Sequence, residues 1–281
     1  YPDSICLFID SEFGITPAYL KANGIDPSRV IHAPVEHIEQ AKFELVKQLS
    51  SISRKDKVIV FFDSLGNCAS KKELDDAISE SEKADMTRAK SINSLARMVT
   101  PLLHINDIPM IVINHIYMTQ GMFAKNVMSG GTKFYLSADQ IFYMGRSQEK
   151  QGEEIIGYNF NMTVEKSRFV QEKTVIPLQV TWENGVDPFS GLFGIAKDCK
   201  VITVPSKGYV SITDIDTGEV LLNEEKANKI TKEHYIKILK MNGFREYVKN
   251  TYKIPEIDMD RQIQEDIEDL EDEWSNKSIN W

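Results

Sequence analysis

The sequence contains few cysteines and no long apolar run, and each absence excludes a class of protein. Its 281 residues include three cysteines, Cys6, Cys68 and Cys199, which are odd in number and far apart. This pattern fits neither a disulfide framework nor a zinc knuckle, and it is typical of a protein in the reducing cytoplasm. The longest apolar runs, at residues 58–62 and 109–113, are far shorter than the ~20 residues of a membrane helix, so we expect no membrane partner.

Charge is distributed unevenly along the chain. Hydrophobic residues make up 42% and charged residues 27%, which is the usual composition of a globular protein rather than a disordered one. Of the net charge of −9, residues 256–281 carry −8, because they hold ten acidic residues against two basic ones. We therefore predict an acidic tail on a nearly neutral body. Such a tail is either a solvated chain end or an interaction segment that competes for a basic surface.

The first 150 residues alternate strand and helix patterns. All-apolar runs predict buried strands at residues 4–10, 57–62 and 109–113, with a shorter strand at residues 29–33. Thr16-Pro17 and Pro34 predict helix starts, and a further helix is predicted at residues 85–99. Apolar residues spaced three or four apart predict the buried helix faces, namely Ile38, Ala41, Leu45, Leu49 and Ile52, then Ile92, Leu95, Ala96 and Val99. Apolar strands that alternate with helices indicate an α/β fold with a mostly parallel sheet covered on both faces.

The pattern changes after about residue 138. Sequential strands are predicted as an antiparallel extension, at residues 140–145, 155–165 and 174–182. A hairpin turn at residues 216–218 and short helices follow, at residues 231–241 and 244–252. We therefore predict three regions, an α/β core at residues 1–196, a small C-terminal α+β region at residues 197–255 and the acidic tail at residues 256–281.

Polar side chains follow three of the predicted strands, as Asp10-Ser11-Glu12, Asp63-Ser64 and Asn114-His115. In open parallel sheets, ligands bind beyond the carboxyl ends of the strands. A carboxylate there can hold Mg²⁺ or its water, a second carboxylate can polarise an attacking water, and a histidine can contact a phosphate. Each residue alone is more often structural. The three groups in this order favour an NTPase.

Three stretches of the sequence carry a resemblance to a known family. They are CLFIDSEFGITPAYLKANGIDPSRV, VIVFFDSLGN, and MIVINH followed by a loop that contains SGGTKFY. In this order and spacing the sequence resembles the RecA-type DNA recombinases, and within them the UvsX branch of tailed phages. The resemblance extends from Ile5 to about Ala196. It implies a RecA-like sheet with helices on both faces, an antiparallel extension and a small C-terminal region.

The resemblance implies a site for the cofactors ATP and Mg²⁺. Glu12 matches the glutamate that activates water for attack on the γ-phosphate. Asp63, with Ser64 beside it, matches the Walker B aspartate that holds Mg²⁺ through water. Tyr19 matches the aromatic residue that stacks on adenine. His115 lies at the γ-phosphate sensor position, where most relatives have glutamine and the phage branch has histidine.

The resemblance also implies DNA and subunit contacts. The two DNA-binding loops correspond to residues 65–84 and 116–133. The implied DNA contacts are Lys71, Lys72, Arg88, Arg97, Lys125, Gly130, Gly131 and Lys133. Phe134 matches an aromatic residue at the subunit interface, while Lys166 and Arg168 match cations that reach the neighbouring subunit's nucleotide. Without the resemblance, each of these basic residues would be interpreted as a solvated surface charge.

The implied function is ATP-dependent DNA strand exchange in phage recombination, repair and recombination-dependent replication. Subunits are expected to form a helical filament on single-stranded DNA and to act on double-stranded DNA. A loader protein and a single-strand binding protein are the expected partners, in the host cell cytoplasm. The alternatives are a hexameric replicative DNA helicase of the same fold and a non-catalytic DNA-binding module.

One motif of the family, G-x-x-x-x-G-K-[ST], does not occur in this sequence. In the family this P-loop precedes the strand that begins near Ser4. We therefore expect the sequence to be a part of a longer protein, truncated at its N-terminus, and a true loss of the motif is the alternative. Because a P-loop supplies backbone amides and a lysine to the phosphates, we expect the 281 residues alone to be inactive and poorly soluble.

Overall fold

A four-stranded parallel sheet organises the first part of the chain. The computed structural model describes residues 3–79, 87–120 and 126–252. The sheet has the order β2-β1-β3-β4, with the strands β1 (Ile5–Asp10), β2 (Val30–Pro34), β3 (Val58–Asp63) and β4 (Met110–Val112). All three neighbouring pairs are parallel. The predicted parallel α/β sheet is therefore confirmed.

The remaining elements of this first unit are five helices and a hairpin among the described residues. They are α1 (Pro17–Ala22), α2 (Ile38–Ser51), α3 (Lys71–Ile78), α4 (Thr87–Asn106) and α5 (Thr132–Ser137), with the strands β5 (Ile116–Met118) and β6 (Asn126–Met128) and a 3₁₀ helix at Pro27–Arg29. β5 and β6 pair antiparallel. Lys125 lies outside the described residues, as does the acidic segment 256–281.

The core of this unit lies between one face of the sheet and the helices α2 and α4. Its helical side chains are the ones that the spacing predicted, Ile38, Ala41, Leu45 and Leu49 on α2, and Ile92, Leu95, Ala96 and Val99 on α4. Ile52 packs against the same core but is only partly buried. On the opposite face of the sheet, Phe8 and Phe61 are half-buried and stack with their ring centroids 6.3 Å apart.

The helix starts follow local capping rather than proline alone. Thr16 caps α1 as predicted, since its side chain accepts a hydrogen bond from the N–H of Tyr19. The predicted start at Pro34 is wrong, because Pro34 still pairs with Asp10 in the sheet. α2 begins only after His37, whose ring accepts a hydrogen bond from the N–H of Gln40.

The segment at residues 65–84, predicted as a loop, contains the helix α3. A capping box begins this helix, because Ser70 Oγ accepts a hydrogen bond from Glu73 N at 3.1 Å and the Glu73 carboxylate accepts one from Ser70 N. Lys71 and Lys72 therefore lie in the first turn of a helix and not in a loop. The segment at residues 116–133 likewise contains β5, β6 and the start of α5.

The second unit has its own sheets and its own core. The contact pattern divides the chain into Tyr1–Ala138 and Asp139–Trp281, whereas the sequence predicted a boundary at residue 196, and that assignment stays a prediction. The strands β7 (Gln140–Gln151), β8 (Glu154–Ser167), β9 (Val175–Thr181) and β10 (Gly185–Val186) form an antiparallel sheet in the order β10-β9-β8-β7. This sheet confirms the predicted antiparallel extension.

The rest of the second unit is a small α+β region. It contains α6 (Leu192–Asp198), β11 (Ile202–Ser206), β12 (Tyr209–Thr213), β13 (Val220–Lys226), a 3₁₀ helix at Ala227–Lys229, α7 (Lys232–Lys240) and α8 (Asn242–Tyr252). The predicted hairpin turn lies between β12 and β13, where Gly218 has a φ of +76°. None of the helices in the described part of the chain is both long and apolar enough to span a lipid bilayer.

Candidate nucleotide and DNA site

The carboxyl ends of β1 and β3 bring the predicted catalytic residues together. The two strands are in register with Asp10 opposite Asp63, and Ser11 N donates a hydrogen bond to Asp63 O at 2.8 Å. Glu12 lies two residues after Asp10, and Ser64 lies directly after Asp63. Ser64 Oγ donates a hydrogen bond to Glu12 Oε1 at 2.8 Å. The hydrogen bond fixes the Glu12 carboxylate beside the strand end that carries Asp63.

Two residues that the sequence analysis did not select hold this edge in place. Ser11 Oγ donates to Ser64 O at 2.8 Å and accepts from Ser64 N at 2.9 Å. Asn67 N donates to Ser64 Oγ at 3.3 Å. The Asp63–Ser64 peptide bond is cis. Both serines are buried, so these bonds form in a place where water competes little for them. Their position beside the two strand-end carboxylates was the only signal in the sequence.

The electrostatics of this edge favour a cation. Burial, followed by the negative charges of Glu12 and Asp10, raises the pKa of Asp63. A divalent cation would offset this repulsion, and carboxylate and hydroxyl oxygens are the ligands that Mg²⁺ prefers. Among the residues that the structure describes, no three His, Cys, Asp or Glu side chains are grouped so that they could hold a metal ion. The carboxylates of Asp63 and Glu12 and the hydroxyl of Ser64 would supply oxygen ligands to such a cation.

His115 lies at the carboxyl end of β4, against the turn that follows β3. A Cβ atom on Gly66 would lie 2.7 Å from Cγ of His115, so only glycine permits this approach. The backbone on both sides is fixed, because Asn114 Oδ1 accepts from His115 N and Asn114 Nδ2 donates to Ser129 O, both at 2.9 Å. The Ser129 N–H in turn donates to His115 O at 2.9 Å. The predicted sensor residue precedes β5 and is thus bonded to the residue that directly follows β6, at the base of the β5–β6 hairpin.

Arg88, a predicted DNA contact on α4, is bonded to four oxygens of the protein. Its Nη2 donates to Gly66 O at 2.8 Å and to Leu65 O at 3.2 Å. Its Nε donates to Cys68 O at 2.8 Å, and its Nη1 donates to Ser129 Oγ at 3.2 Å. The guanidinium therefore joins the turn after β3 to the end of the β5–β6 hairpin. A DNA contact by Arg88 stays a prediction.

Comparisons with the sequences of known proteins show which family the chain belongs to. Residues 2–187 match the model of the RecA N-terminal domain. The chain is also 45% identical, over 276 residues, to the "Recombination and repair protein" of Enterobacteria phage T4, which covers 96% of this chain and 70% of that protein. The chain belongs to the RecA family. The family match confirms the RecA-like fold that the sequence predicted.

More distant relatives share the RecA family name. The chain is 27% identical to "Protein RecA" of Wolinella succinogenes, covering 82% of this chain and 64% of that protein. It is 25% identical to "Protein RecA" of Acinetobacter baylyi, covering 70% of this chain and 56% of that protein. The chain thus spans between 56% and 70% of the length of these three relatives. These comparisons support the recombinase interpretation and give no support to a helicase or a non-catalytic module.

The residues that the RecA resemblance assigned to adenine and to the second DNA loop are partly exposed. Tyr19 on α1 is 57% exposed, so more than half of its surface is accessible. Gly130 and Gly131 have φ values of +88° and +93°, which favour glycine, and a Cβ on Gly130 would lie 2.5 Å from Ile92 Cδ1. Lys133 follows in the first turn of α5. Their roles with nucleotide and DNA stay predictions.

The residues assigned to subunit contacts also have partners within this RecA-family chain. Phe134 is partly buried and packs against the core of the first unit. Within the second unit, Lys166 lies in β8 opposite Ile141 of β7. Arg168 is exposed and forms an ion pair with Asp139, with Nη1 and Oδ1 3.1 Å apart. Their contacts with a neighbouring subunit stay predictions.

An open crevice between α2, α3 and α4 contains basic residues that the sequence analysis missed. Its volume is about 590 Å³. It is lined by Lys42, Lys71, Lys72 and Lys90 together with Glu39, Asp75, Thr87, Ser91 and Ser94. Lys42 and Lys90 were overlooked because they lie 48 residues apart on separate helices, and no short motif joins them. The predicted first DNA loop, at residues 65–84, contains α3 and therefore supplies Lys71 and Lys72 to this crevice.

Glu39 fixes the three walls of this lysine crevice to one another. Its Oε1 accepts from Ser91 Oγ on α4 at 2.5 Å, and its Oε2 accepts from Lys71 N on α3 at 2.8 Å. Burial raises the pKa of Glu39, but the hydrogen bonds from Ser91, Lys71 and His37 outweigh that effect, and the net shift is downward. The carboxylate is therefore ionised at neutral pH and its charge is used for internal hydrogen bonds.

Proposed function

We propose that this chain is the hydrolysis and DNA-contact part of an ATP-dependent DNA strand-exchange protein. The observation that carries the proposal is the hydrogen bond from Ser64 to Glu12, beside Asp63, at the edge of a RecA-family sheet. In such sheets this edge is where nucleotides bind. The relative in phage T4 is named a recombination and repair protein, and we assign this protein to recombination, repair and recombination-dependent replication.

The roles of the residues at this edge follow from their positions. When bound, ATP supplies the γ-phosphate that water attacks, and Mg²⁺ neutralises charge on the phosphates. Asp63, with Ser64 beside it, would hold the ion. Ser64 fixes Glu12 through Oε1, and the other oxygen of Glu12 accepts the proton of the attacking water. The exposed ring of Tyr19 stacks on adenine.

Nucleotide and DNA are coupled through the residues that follow β4. His115 contacts the γ-phosphate, and its backbone is bonded to Asn114 and Ser129 at the end of the hairpin of the second DNA loop. A shift of His115 on hydrolysis therefore moves the base of that loop. This short path of bonded groups is a physical route for coupling.

The DNA backbone binds along the lysine crevice and the two loops. Lys42, Lys71, Lys72 and Lys90 converge there from three helices, and phosphate oxygens are the ligands that such a group of cations attracts. Ser94 lines the same crevice, and its hydroxyl can donate to a phosphate. Because these contacts touch no base, they support binding without sequence preference.

The assembly is a helical filament on single-stranded DNA that pairs with double-stranded DNA. Phe134 packs against the neighbouring subunit, and Lys166 and Arg168 reach the neighbour's nucleotide. A loader protein and a single-strand binding protein assist assembly, in the cytoplasm of the host cell.

Because the sequence contains no P-loop motif, the 281 residues alone bind ATP·Mg²⁺ too weakly to measure, and calorimetric titration tests this point.

The experiment that tests the function uses the protein expressed from its complete reading frame. Wild-type protein should hydrolyse ATP faster with single-stranded DNA and should exchange strands between homologous DNA molecules. Glu12→Gln should keep ATP and DNA binding and lose hydrolysis by ~10²–10⁴-fold, because the positioned base is removed. Glu36→Gln, at an exposed position before α2, is the matched control. Hydrolysis by Glu12→Gln at the wild-type rate would contradict the assigned role.

A further inference from the structure

Asp10 is a buried carboxylate to which neither the family resemblance nor the proposed mechanism gives a role. It ends β1, two residues before Glu12, and is 1% exposed. Its Oδ1 accepts hydrogen bonds from Glu12 N at 3.0 Å and Phe13 N at 2.7 Å. Its Oδ2 accepts from Ile15 N at 3.4 Å and contacts His32 Nε2 at 2.9 Å. One carboxylate thus accepts from three backbone N–H groups of the turn that follows β1.

The charge of Asp10 is sustained by these contacts. Burial raises the pKa of Asp10, but the hydrogen bond from His32 and those from the backbone of the turn outweigh burial, and the net shift is downward. A buried carboxylate is unfavourable unless its oxygens are satisfied. An apolar residue could fill the same volume without that penalty. The presence of a carboxylate at this position is therefore explained by the hydrogen bonds that it accepts from the turn rather than by packing.

The turn that Asp10 holds is itself unfavourable. Phe13 has a φ of +55°, in the left-handed region that residues with a Cβ atom rarely adopt. The shortest of the Asp10 hydrogen bonds comes from the N–H of this residue. Without an acceptor at that point, the turn would relax toward other backbone conformations. Glu12, the neighbouring residue, would then lose the direction that brings it to Ser64.

We propose that Asp10 is a positioning residue of the hydrolysis reaction, and that His32 supports it from the edge strand β2. Asp10 fixes the turn that directs Glu12 to Ser64. The turn ends where Thr16 caps α1, so the same carboxylate sets the start of the helix that carries Tyr19. This inference rests on the proposed function, since it assigns Asp10 to the reaction that Glu12 performs.

The first test substitutes Asp10→Asn, which keeps the shape of the side chain. The amide nitrogen of asparagine cannot accept a hydrogen bond. The hydrogen bonds that either Oδ1 or Oδ2 of Asp10 accepts from the turn are therefore lost. We expect hydrogen exchange of the backbone amides in residues 11–19 to become about tenfold faster or more. The kcat of DNA-stimulated ATP hydrolysis should fall about 10–100-fold, with a small change in KM for ATP. All measurements use the protein expressed from its complete reading frame.

A matched control and a rescue pair separate positioning from general stability. Asp26→Asn removes an aspartate that accepts from Ser28 N at 2.9 Å at the start of the 3₁₀ helix, far from Glu12 in sequence, and it should leave kcat unchanged. His32→Gln keeps a donor near the position of Nε2 and should retain most of kcat, whereas His32→Ala should not. If Asp10→Asn does not fold, the two His32 variants decide whether Asp10 positions Glu12. His32 lies on the edge strand β2 and is more exposed than Asp10, so its substitution should disturb folding less.

Two outcomes would overturn the inference. One is wild-type exchange of residues 11–19 together with wild-type kcat in folded Asp10→Asn. The other is an equal loss of kcat in His32→Gln and His32→Ala, since loss of the hydrogen-bond donor to Asp10 could not then be the cause. If wild-type protein shows no DNA-stimulated hydrolysis at all, the proposed function fails. The exchange measurement still decides in that case whether Asp10 holds the turn.

Discussion

Replacing Arg88 with methionine should destabilise the protein, although the family resemblance assigns Arg88 to DNA. Methionine keeps the length and the apolar stem of arginine but donates no hydrogen bond. The substitution removes four bonds, to the carbonyl oxygens of Leu65, Gly66 and Cys68 and to the hydroxyl of Ser129. Those oxygens belong to segments that are far apart in sequence. Their loss should therefore loosen the turn after β3 and the end of the β5–β6 hairpin together.

The expected magnitude follows from the geometry. A hydrogen bond from a charged donor contributes roughly 1.5–3 kcal/mol. The two bonds at 2.8 Å are the strong ones, and together they would contribute about 3–6 kcal/mol by that figure. Arg88 is half-buried, so water replaces part of the loss, and we expect a cost of about 2–4 kcal/mol. Arg88→Lys should recover less than half, because an ammonium cannot reproduce the planar fork.

The assay compares Arg88→Met with Arg97→Met, an exposed position on the same helix that the resemblance also assigns to DNA. Thermal unfolding followed by circular dichroism gives the stability, and hydrogen exchange shows where the structure opens. We expect faster exchange at residues 65–68 and 126–131 in Arg88→Met only. The reasoning would be refuted if both variants kept wild-type stability and lost the same DNA affinity, since Arg88 would then act as a simple DNA contact.

Four further predictions concern the candidate site and the charged surfaces. Asp63→Asn should abolish most hydrolysis yet raise the melting temperature without Mg²⁺ by a few degrees, because it removes one charge from a cluster that raises the pKa of Asp63; a lower melting temperature contradicts this. His115→Ala should keep ATP affinity and lose DNA stimulation of the ATPase, and undiminished stimulation would make His115 structural. Replacing Lys42 and Lys90 with glutamine should reduce the slope of log affinity for single-stranded DNA against log salt by about 1–2, and an unchanged slope would place the DNA elsewhere. Deleting residues 256–281, which carry −8, should tighten DNA binding at low salt, and equal affinities there would make the tail inert.

The parts of the fold that depend on local periodicity could be predicted from the sequence. The buried faces of α2 and α4 follow the 3.6-residue spacing of their apolar side chains, which any segment reveals on its own. The approach of Glu12 to Ser64 was also within reach, because the carboxyl ends of neighbouring parallel strands meet at one edge. The helix α3 was missed although Ser70 and Glu73 have the spacing of a capping box. The capping-box spacing indicated a helix start at this point, but the segment at residues 65–84 was predicted to be a DNA loop.

The contacts of Arg88 could not have been predicted in this way. Three of its four acceptors are backbone carbonyl oxygens, and a carbonyl gives no sign in the sequence because every residue has one. Which carbonyls converge depends on the turn after β3, and that turn is fixed only when β3 and α4 have packed. The same holds for Asp10, whose partners are mostly backbone N–H groups. Side chains that bond to the backbone are therefore the functional residues that a motif search identifies least well.

Ser129 is the point at which the end of β4, the β5–β6 hairpin and α4 are bonded to one another. Its N–H donates to His115 O, its carbonyl oxygen accepts from Asn114, and its hydroxyl accepts from Arg88. All three polar groups of one residue are thus engaged, two with the end of β4 and one with α4. One hydrogen bond joins Ser129 to His115 and another joins it to Asn114, so a joint movement of His115 and Asn114 cannot leave Ser129 in place without breaking both. A movement of Ser129 in turn disturbs the guanidinium that also holds Gly66. Since Gly66 is the residue against which His115 packs, the path closes on itself. A closed path of short contacts favours two discrete arrangements over a gradual one, because a partial shift loses bonds on every side at once.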